Sequence, residues 1–163
     1  MGADKRIGPA SSGQWLDFAV RYLARRDRTV AQVEQFLRDK GASPGQAKQT
    51  VSRLSDLRYL NDRAYAERWL ESRLARRPMG RERLKEELRA KGLAETVVEQ
   101  SIRKAFRGVD EEVLARSLLR VRNRRGHRPT AMQALRLLRQ RGFDEETIDR
   151  VVGPLMAHEE SQA

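Results

Sequence analysis

The hydrophobic positions of this chain repeat three times at nearly the same spacing. An apolar residue lies six, ten and thirteen positions beyond each of Gly41, Gly92 and Gly142. These residues are Ala47, Val51 and Leu54, then Val98, Ile102 and Ala105, then Ile148, Val152 and Leu155. A spacing of four and then three residues places each trio on one face of an α-helix. The pattern therefore predicts an amphipathic helix after each glycine.

The residues that precede the three glycines predict a second helix in each unit. They read Leu-Arg-Asp-Lys-Gly, Leu-Arg-Ala-Lys-Gly and Leu-Arg-Gln-Arg-Gly, and the glycines are 51 and 50 residues apart. A cation in the last turn complements the helix dipole, and glycine adopts the left-handed conformation that ends a helix. Three copies at an even period indicate an internal repeat.

A third helix opens each unit with a shared pattern of apolar residues around an alanine. The copies are Phe18-Ala19-x-x-Tyr22-Leu23, Tyr65-Ala66-x-x-Trp69-Leu70 and Leu114-Ala115-x-x-Leu118-Leu119. The sequence therefore predicts an all-α fold, an elongated, curved array of three tandem three-helix repeats. We expect a flexible leader at 1–13, repeats at 14–58, 59–108 and 109–155, and a loose tail at 156–163.

Polar residues at the helix starts predict where several helices begin. The first helix is expected at 14–26, and the second at 30–40 with Thr29 as its N-cap. Ser43-Pro44 begins the third helix with a capping residue and a first-turn proline. Further N-caps are expected at Asp110, Thr130 and Asp144, and Gly153-Pro154 is expected to end the last helix early.

The junction between the first two repeats has the most distinctive sequence. Asn61 or Asp62 is expected to cap the next helix, while Tyr59 and Leu60 pack back against it as a hydrophobic staple.

The charge balance favours a polyanionic partner. The formal net charge is +11 and the pI is about 10.9, which attracts nucleic acid, acidic protein surfaces or anionic lipid. The alternative is an arginine-rich surface that is merely solvated. The chain has no cysteine, no apolar run long enough for a membrane span and no signal peptide at its start, so we expect a cytoplasmic protein.

The sequence offers no constellation of catalytic or metal-binding residues. Its two histidines, His127 and His158, lack the paired spacing of metal ligands. The carboxylate pairs Glu86-Glu87 and Glu111-Glu112 are interpreted as solvated ion pairs on helix surfaces. We therefore predict a protein that is not an enzyme and needs no cofactor or metal.

Arginines cluster where the first helix of each repeat leads into the second. The candidate contact residues for a partner or nucleic acid are Arg25, Arg26 and Arg28, then Arg73, Arg76, Arg77 and Arg81, then Arg122, Arg124, Arg125 and Arg128. Arg83 and Arg120 extend the second and third clusters. Equivalent positions of a regular array line one side, so we expect a basic rim. The planar guanidinium fork grips phosphate or carboxylate through two hydrogen bonds.

Two further stretches resemble the RecX regulatory family. They are Tyr59-Leu60-Asn61-Asp62-x-x-Tyr65-Ala66 and Gly80-x-x-x-Leu84-x-x-x-Leu88-x-x-Lys91-Gly92, within a resemblance that spans about residues 15 to 153. The resemblance implies tandem three-helix repeats without catalytic residues. It also implies a modulator of the RecA recombinase that limits the RecA filament on single-stranded DNA. The expected partners are the RecA filament and the DNA phosphate backbone, and we expect a monomer without membrane association.

Two other functions fit the pattern. Three-helix units with arginine-rich turns resemble helix-turn-helix proteins, so the chain could be a stand-alone DNA-binding protein. Few Asn or Gln side chains accompany the arginines to read bases, which disfavours that alternative. A purely structural scaffold of helical repeats would show no salt-dependent affinity for either partner.

Overall fold

A computed structural model describes residues 12–123 and 129–161 of the chain. This part contains nine α-helices and no β-strand, as predicted. The helices are α1 Ser12–Leu23, α2 Val30–Asp39, α3 Pro44–Asp56, α4 Asp62–Arg76, α5 Arg81–Ala90, α6 Glu95–Ala105, α7 Glu111–Asn123, α8 Ala131–Gln140 and α9 Glu145–Glu160. Over the same residues, no helix has the length and apolar character needed to cross a bilayer.

Capping residues start most of these helices where the sequence predicts. Thr29, Ser43 and Thr130 each form a capping box with a glutamine three residues later. The Asp144 carboxylate accepts a hydrogen bond from the Thr147 amide at 2.7 Å. At the junction of the first two repeats, Asn61 is the cap of α4, since its Oδ1 accepts from the Ala64 amide at 2.9 Å.

The glycines that end the second helix of each repeat have the predicted left-handed conformation. The φ angles of Gly41, Gly92 and Gly142 are +100°, +81° and +73°. The helix that follows each glycine is amphipathic as predicted. Of the nine predicted core positions in these three helices, seven are buried, and the other two, Ala105 and Leu155, are half-buried.

The described residues form two compact units. The first unit runs to Tyr65 and includes Lys91–Leu93, and its core is built from α1, α2 and α3 around Trp15, Leu37 and Leu54. The second unit comprises Ala66–Ala90 and the chain from Ala94 onward. One of its core clusters joins α7, α8 and α9. The repeat boundaries expected from the sequence stay predictions.

The predicted end of the last helix at Gly153-Pro154 is wrong. Helix α9 continues through Pro154 to Glu160, so residues 156–160 are helical rather than loose. A proline inside a helix removes one backbone hydrogen bond at a cost of about 3 kcal/mol. Two contacts offset that cost: Leu155 packs against the core, and a Glu159 oxygen accepts from the Ala131 amide at 2.8 Å.

The predicted staple at the first junction is only half correct. Leu60 is buried as expected, but Tyr59 is 56% exposed. The reason is the turn after α3, where Arg58 takes a φ of +61° and the Tyr59 amide donates to the Leu54 carbonyl at 2.9 Å. This turn has the geometry of a glycine-type helix stop, and it directs Leu60 inward and Tyr59 outward.

Candidate functional site

In the first unit, the start of α2 is fixed by groups from distant parts of the chain. The Val30 amide donates to an Asp62 carboxylate oxygen at 2.8 Å. The Thr29 hydroxyl, which is fully buried, donates to the Lys91 carbonyl at 2.7 Å. Burial raises the pKa of Asp62, and the hydrogen bond from Val30 opposes that shift. The turn that carries Arg25, Arg26 and Arg28 is therefore held against the Lys91–Leu93 segment.

Gly92 is required in this segment for two reasons. Its φ of +81° is unfavourable for other residues, and a Cβ atom there would lie 2.4 Å from the Cβ of Ala31. The close approach lets the Lys91 carbonyl reach the Thr29 hydroxyl.

In the second unit, the start of α5 has equivalent contacts from other partners. The Gly80 amide donates to the Arg141 carbonyl at 2.8 Å, and the Glu82 amide donates to the Gly142 carbonyl at 3.2 Å. Between them, the Arg81 amide donates to a Glu111 carboxylate oxygen at 3.1 Å. The first amides of α5 are thus satisfied by a turn and a side chain from later in the chain.

Glu111 corrects one prediction, because it is buried rather than solvated. Only 8% of the residue is exposed, and its carboxylate pairs with the Arg81 guanidinium at 2.6 Å. Burial raises the pKa of Glu111, while the Arg81 amide and the Arg81 charge oppose the shift. The Arg81 guanidinium also lies 4.9 Å from the centre of the Phe106 ring. Arg81, a predicted contact residue, is therefore engaged within the unit.

The second unit also contains a polar cleft of about 480 Å³, which we call the arginine cleft. Five of its lining residues are arginines: Arg73, Arg76, Arg77, Arg83 and Arg141. Met79, Glu87 and Gln140 complete the lining. Arg73 and Arg76 are in the last turns of α4, Arg83 is in α5, and Arg141 directly follows α8. The structure thus brings three of the predicted contact residues together.

The charges of the arginine cleft are only partly balanced. Glu87 lies 3.1 Å from both the Arg73 and the Arg83 guanidinium groups, and Glu86, which does not line the cleft, lies 3.8 Å from Arg83. Among the described residues, no carboxylate pairs with Arg76, Arg77 or Arg141. The cleft therefore presents five cations and a single anion, which suits a ligand with several negative charges.

Sequence reasoning missed the contribution of Arg141 and Gln140 to the cleft. The sequence pattern indicates Arg141 only as the cation in the last turn of a helix. The sequence does contain a signal for this approach, namely two glycines at which the backbone can come close to another segment. Gly80 stands one residue before α5, and Gly142 stands one residue after Arg141. A Cβ at Gly80 would lie 2.1 Å from the Gly142 carbonyl oxygen, so both positions permit a close backbone approach.

In the first unit, the predicted cluster of Arg25, Arg26 and Arg28 does not line a common cleft as Arg73, Arg76 and Arg77 do. Arg25 and Arg26 are exposed. The half-buried Arg28 guanidinium lies 4.4 Å from the centre of the Tyr22 ring, which stacks on Phe36 at 4.0 Å. The charges of Arg26 and Arg28 also act on Tyr65, whose pKa is raised by burial and lowered by the two arginines, with burial the larger effect.

The third predicted cluster cannot be placed. Arg124, Arg125 and Arg128 lie outside the described residues, as does the side chain of Arg122 at the end of α7. The basic rim along all three repeats stays a prediction. Within the described ranges, no group of three His, Asp or Glu side chains is arranged to hold a metal ion.

Comparisons with known proteins point to one family. Models of the first and second three-helix domains of RecX match residues 16–54 and 61–102. The regulatory protein RecX of Chlorobaculum tepidum is 30% identical over 151 residues, which cover 91% of this chain and 92% of the relative. The regulatory protein RecX of Treponema pallidum is 31% identical over 132 residues, which cover 81% of this chain and 79% of the relative.

Solved structures agree on the fold. The crystal structure of RecX from Lactobacillus salivarius matches with a TM-score of 0.75 and 22% sequence identity, over 90% of this chain and 97% of that one. A second crystal structure of a regulatory protein RecX matches with a TM-score of 0.73 and 17% identity, over 86% of this chain and 70% of the other. The helical-repeat architecture is thus shared with both.

Proposed function

Because this chain belongs to the RecX family, we propose that it binds the RecA nucleoprotein filament and limits RecA activity in recombination and DNA repair. It acts by binding and carries out no reaction of its own, in the cytoplasm. The observation that carries this proposal is the family membership, supported over 91% of the chain by a relative named as a regulatory protein.

The physical properties of the chain support a filamentous, negatively charged partner. The net charge of +11 favours encounter with nucleic acid and with acidic protein surfaces. A chain built from similar modules repeats weak contacts along a polymer, and linked contacts raise the total affinity well above that of each one. The arginine clusters of the successive repeats are the contacts that we assign to this binding.

The first test is strand exchange catalysed by RecA between a circular single strand and a homologous duplex. Increasing amounts of the purified chain are added after the filament has formed. We expect joint-molecule formation to fall as the chain approaches and exceeds the RecA concentration. Unchanged strand exchange at a large excess of folded protein would reject the proposed function.

The second test locates the contact. Changing Arg122, Arg124, Arg125 and Arg128 to Glu is expected to weaken inhibition at least tenfold, since each reversal replaces attraction with repulsion. A matched control changes the exposed arginines Arg38, Arg53, Arg103 and Arg107 to Glu, which alters the net charge equally. Full inhibition by a folded variant of the first set would show that those residues are not the contact.

A stand-alone DNA-binding protein is the second candidate, and the arginine cleft is the observation that favours it. Mobility-shift titrations with and without RecA separate the two functions. Tight binding to one duplex sequence in the absence of RecA would favour this alternative.

A further inference from the structure

We propose that the exposed turn 57–59, which follows α3, is a contact for a protein partner. Tyr59 and Leu57 are its apolar anchors, and Arg58 is its cation. This inference rests on the proposed function, because we assign the contact to a protein subunit of the RecA filament rather than to the DNA. It is carried by the juxtaposition of a strained arginine and two exposed apolar side chains in one turn.

The backbone of this turn holds Arg58 in an unfavourable conformation. Its φ of +61° lies in the left-handed region, which glycine adopts far more easily than a residue with a side chain. The other described residues with positive φ are all glycines, among them Gly108 in the turn after α6. The amides of Arg58 and Tyr59 donate to the carbonyls of Ser55 at 3.0 Å and Leu54 at 2.9 Å, which imposes the conformation. A glycine would form the same turn with less strain.

The side chain of Arg58 does not stabilise the part of the chain that the structure describes. The residue is exposed, and its guanidinium forms neither an ion pair nor a hydrogen bond with any described residue. Strained backbone conformations persist where a function uses them. We therefore infer that the Arg58 side chain acts on a group outside the chain.

Two apolar side chains flank Arg58 and are exposed to solvent. The exposed fraction is 44% for Leu57 and 56% for Tyr59, and the Tyr59 hydroxyl has no hydrogen-bond partner among the described residues. The next two residues have internal roles instead, since Leu60 is buried and Asn61 caps α4. The turn therefore presents an aromatic ring, an aliphatic side chain and a cation at one point of the surface.

This composition favours a protein partner over a nucleic-acid backbone. Tyrosine and arginine are enriched among the residues that dominate the binding energy of protein interfaces. Binding to nucleic acid depends on several cations that each neutralise a phosphate, whereas this turn has a single cation and follows the exposed carboxylate of Asp56. The matching surface of the partner has an apolar hollow for Tyr59 and Leu57, with a carboxylate beside it for Arg58.

The first test separates the strain at Arg58 from its role in binding. RecA filaments are formed on an immobilised single strand, and binding of the chain is measured by interferometry. Arg58→Gly should weaken binding about tenfold, and it should raise the midpoint of thermal unfolding by about 2–4 °C because it relieves the left-handed strain.

The matched control is Arg107→Gly, which makes the same change at an exposed arginine of the turn after α6. It should leave filament binding within about twofold of that of the unchanged chain. Unchanged binding by Arg58→Gly would overturn the role of Arg58. A fall in both its binding and its unfolding midpoint would show damage to the fold and would overturn that role as well.

The apolar anchors have their own variants. Tyr59→Ser should weaken filament binding at least tenfold and Leu57→Ser about threefold, whereas Tyr59→Phe keeps the ring and should retain most of the affinity. Met132→Ser is the control, because it removes an apolar side chain that is 50% exposed on α8. Equal losses from Tyr59→Ser and Met132→Ser would show a general effect of surface hydrophobicity and would reject the anchor at Tyr59.

The same measurements on the bare single strand identify the partner. Tyr59→Ser and Arg58→Gly should change binding to the bare strand by less than about twofold. A loss as large as that on the filament would assign the turn to nucleic acid and overturn the protein contact. If the unchanged chain binds the filament no more tightly than the bare strand, the proposed function fails and this contact fails with it. If the unchanged chain binds the filament and both variants bind equally well, only the contact at the turn is rejected.

Discussion

Helices α2 and α5 begin at equivalent points of two successive repeats, but different groups satisfy their first amides. Helix α2 has its own N-cap, Thr29, and one carboxylate from later in the chain, Asp62. Helix α5 has Gly80 in the place of Thr29, and its amides donate instead to two carbonyls of the turn after α8 and to Glu111. The first amides of α2 are therefore satisfied mainly by a neighbouring residue, whereas those of α5 are satisfied by residues from distant parts of the chain.

Helix α8 extends this comparison to the third repeat. Thr130 forms a capping box, and Glu159 accepts the hydrogen bond of the Ala131 amide. Asp62 and Glu111 are the first residues of α4 and α7, which open the following repeat, whereas Glu159 comes from the extended end of α9. The extended end of α9 thus gives α8 the kind of carboxylate contact that α4 gives α2 and α7 gives α5.

The largest expected effect comes from comparing Gly142, which lies at a close backbone approach, with Gly41, which faces open space. Gly142→Ala would place a Cβ atom 2.3 Å from the backbone nitrogen of Arg83, whereas a Cβ at Gly41 meets nothing within 4 Å. Both residues have positive φ, so each substitution costs about 1–2 kcal/mol of backbone strain. Gly142→Ala should cost about 1–3 kcal/mol more because it overpacks the contact. Urea unfolding measures the free energy of unfolding of both variants. Equal losses would show that the close backbone approach at Gly142 adds nothing to the cost of the substitution.

The next prediction compares the carboxylates that cap α5 and α2. Glu111→Ala should lower the free energy of unfolding by about 2–3 kcal/mol, since it leaves the partly buried Arg81 amide without an acceptor and Gly80, which precedes α5, has no side chain to cap the helix. Asp62→Ala should cost about 1 kcal/mol, because Thr29 still caps α2. Thermal and urea unfolding check the difference. A larger loss from Asp62→Ala would reverse this interpretation.

A smaller effect should distinguish the two threonine caps. Thr29→Ala removes the cap and also the buried hydrogen bond to the Lys91 carbonyl, whereas the exposed Thr130 has no such partner in the described chain. We expect a loss of about 2 kcal/mol for Thr29→Ala and about 1 kcal/mol for Thr130→Ala. Thr29→Ser should restore most of the loss, because it keeps the hydroxyl. Equal losses at both sites would argue that the Lys91 contact contributes little.

The smallest effect depends on pH. The hydrogen bond from the Thr147 amide lowers the pKa of Asp144 below its ordinary value of 3.8. The folded state therefore binds this proton less tightly than the unfolded state. The resulting stability is present above about pH 4 and is lost as the pH falls through the lowered pKa. Asp144→Asn should remove this dependence and cost less than about 1 kcal/mol at pH 7. Unfolding between pH 2.5 and 7 tests this, and parallel curves for the two proteins would contradict it.

Much of the fold follows from the sequence because helices are specified by neighbouring residues. The apolar spacing after Gly41, Gly92 and Gly142 predicted amphipathic helices, and Thr29, Ser43 and Thr130 predicted helix starts. All of these signals lie within about one to two helical turns along the chain, so they are readable without tertiary structure. The same locality explains why Arg73, Arg76 and Arg77 were recognised together.

Tertiary structure alone decided the contacts between residues far apart in the chain. The sequence did not indicate that Arg141 would join the arginine cleft, that Glu111 would be buried under Arg81, or that Glu159 would hold α9 past its proline. Each of these depends on which backbone segments approach one another, and that follows from the packing of whole helices. The chain by itself determined where most helices begin and where α2, α5 and α8 end, because caps and glycines act locally. The packing of the helices determined how far α9 extends and which charges meet.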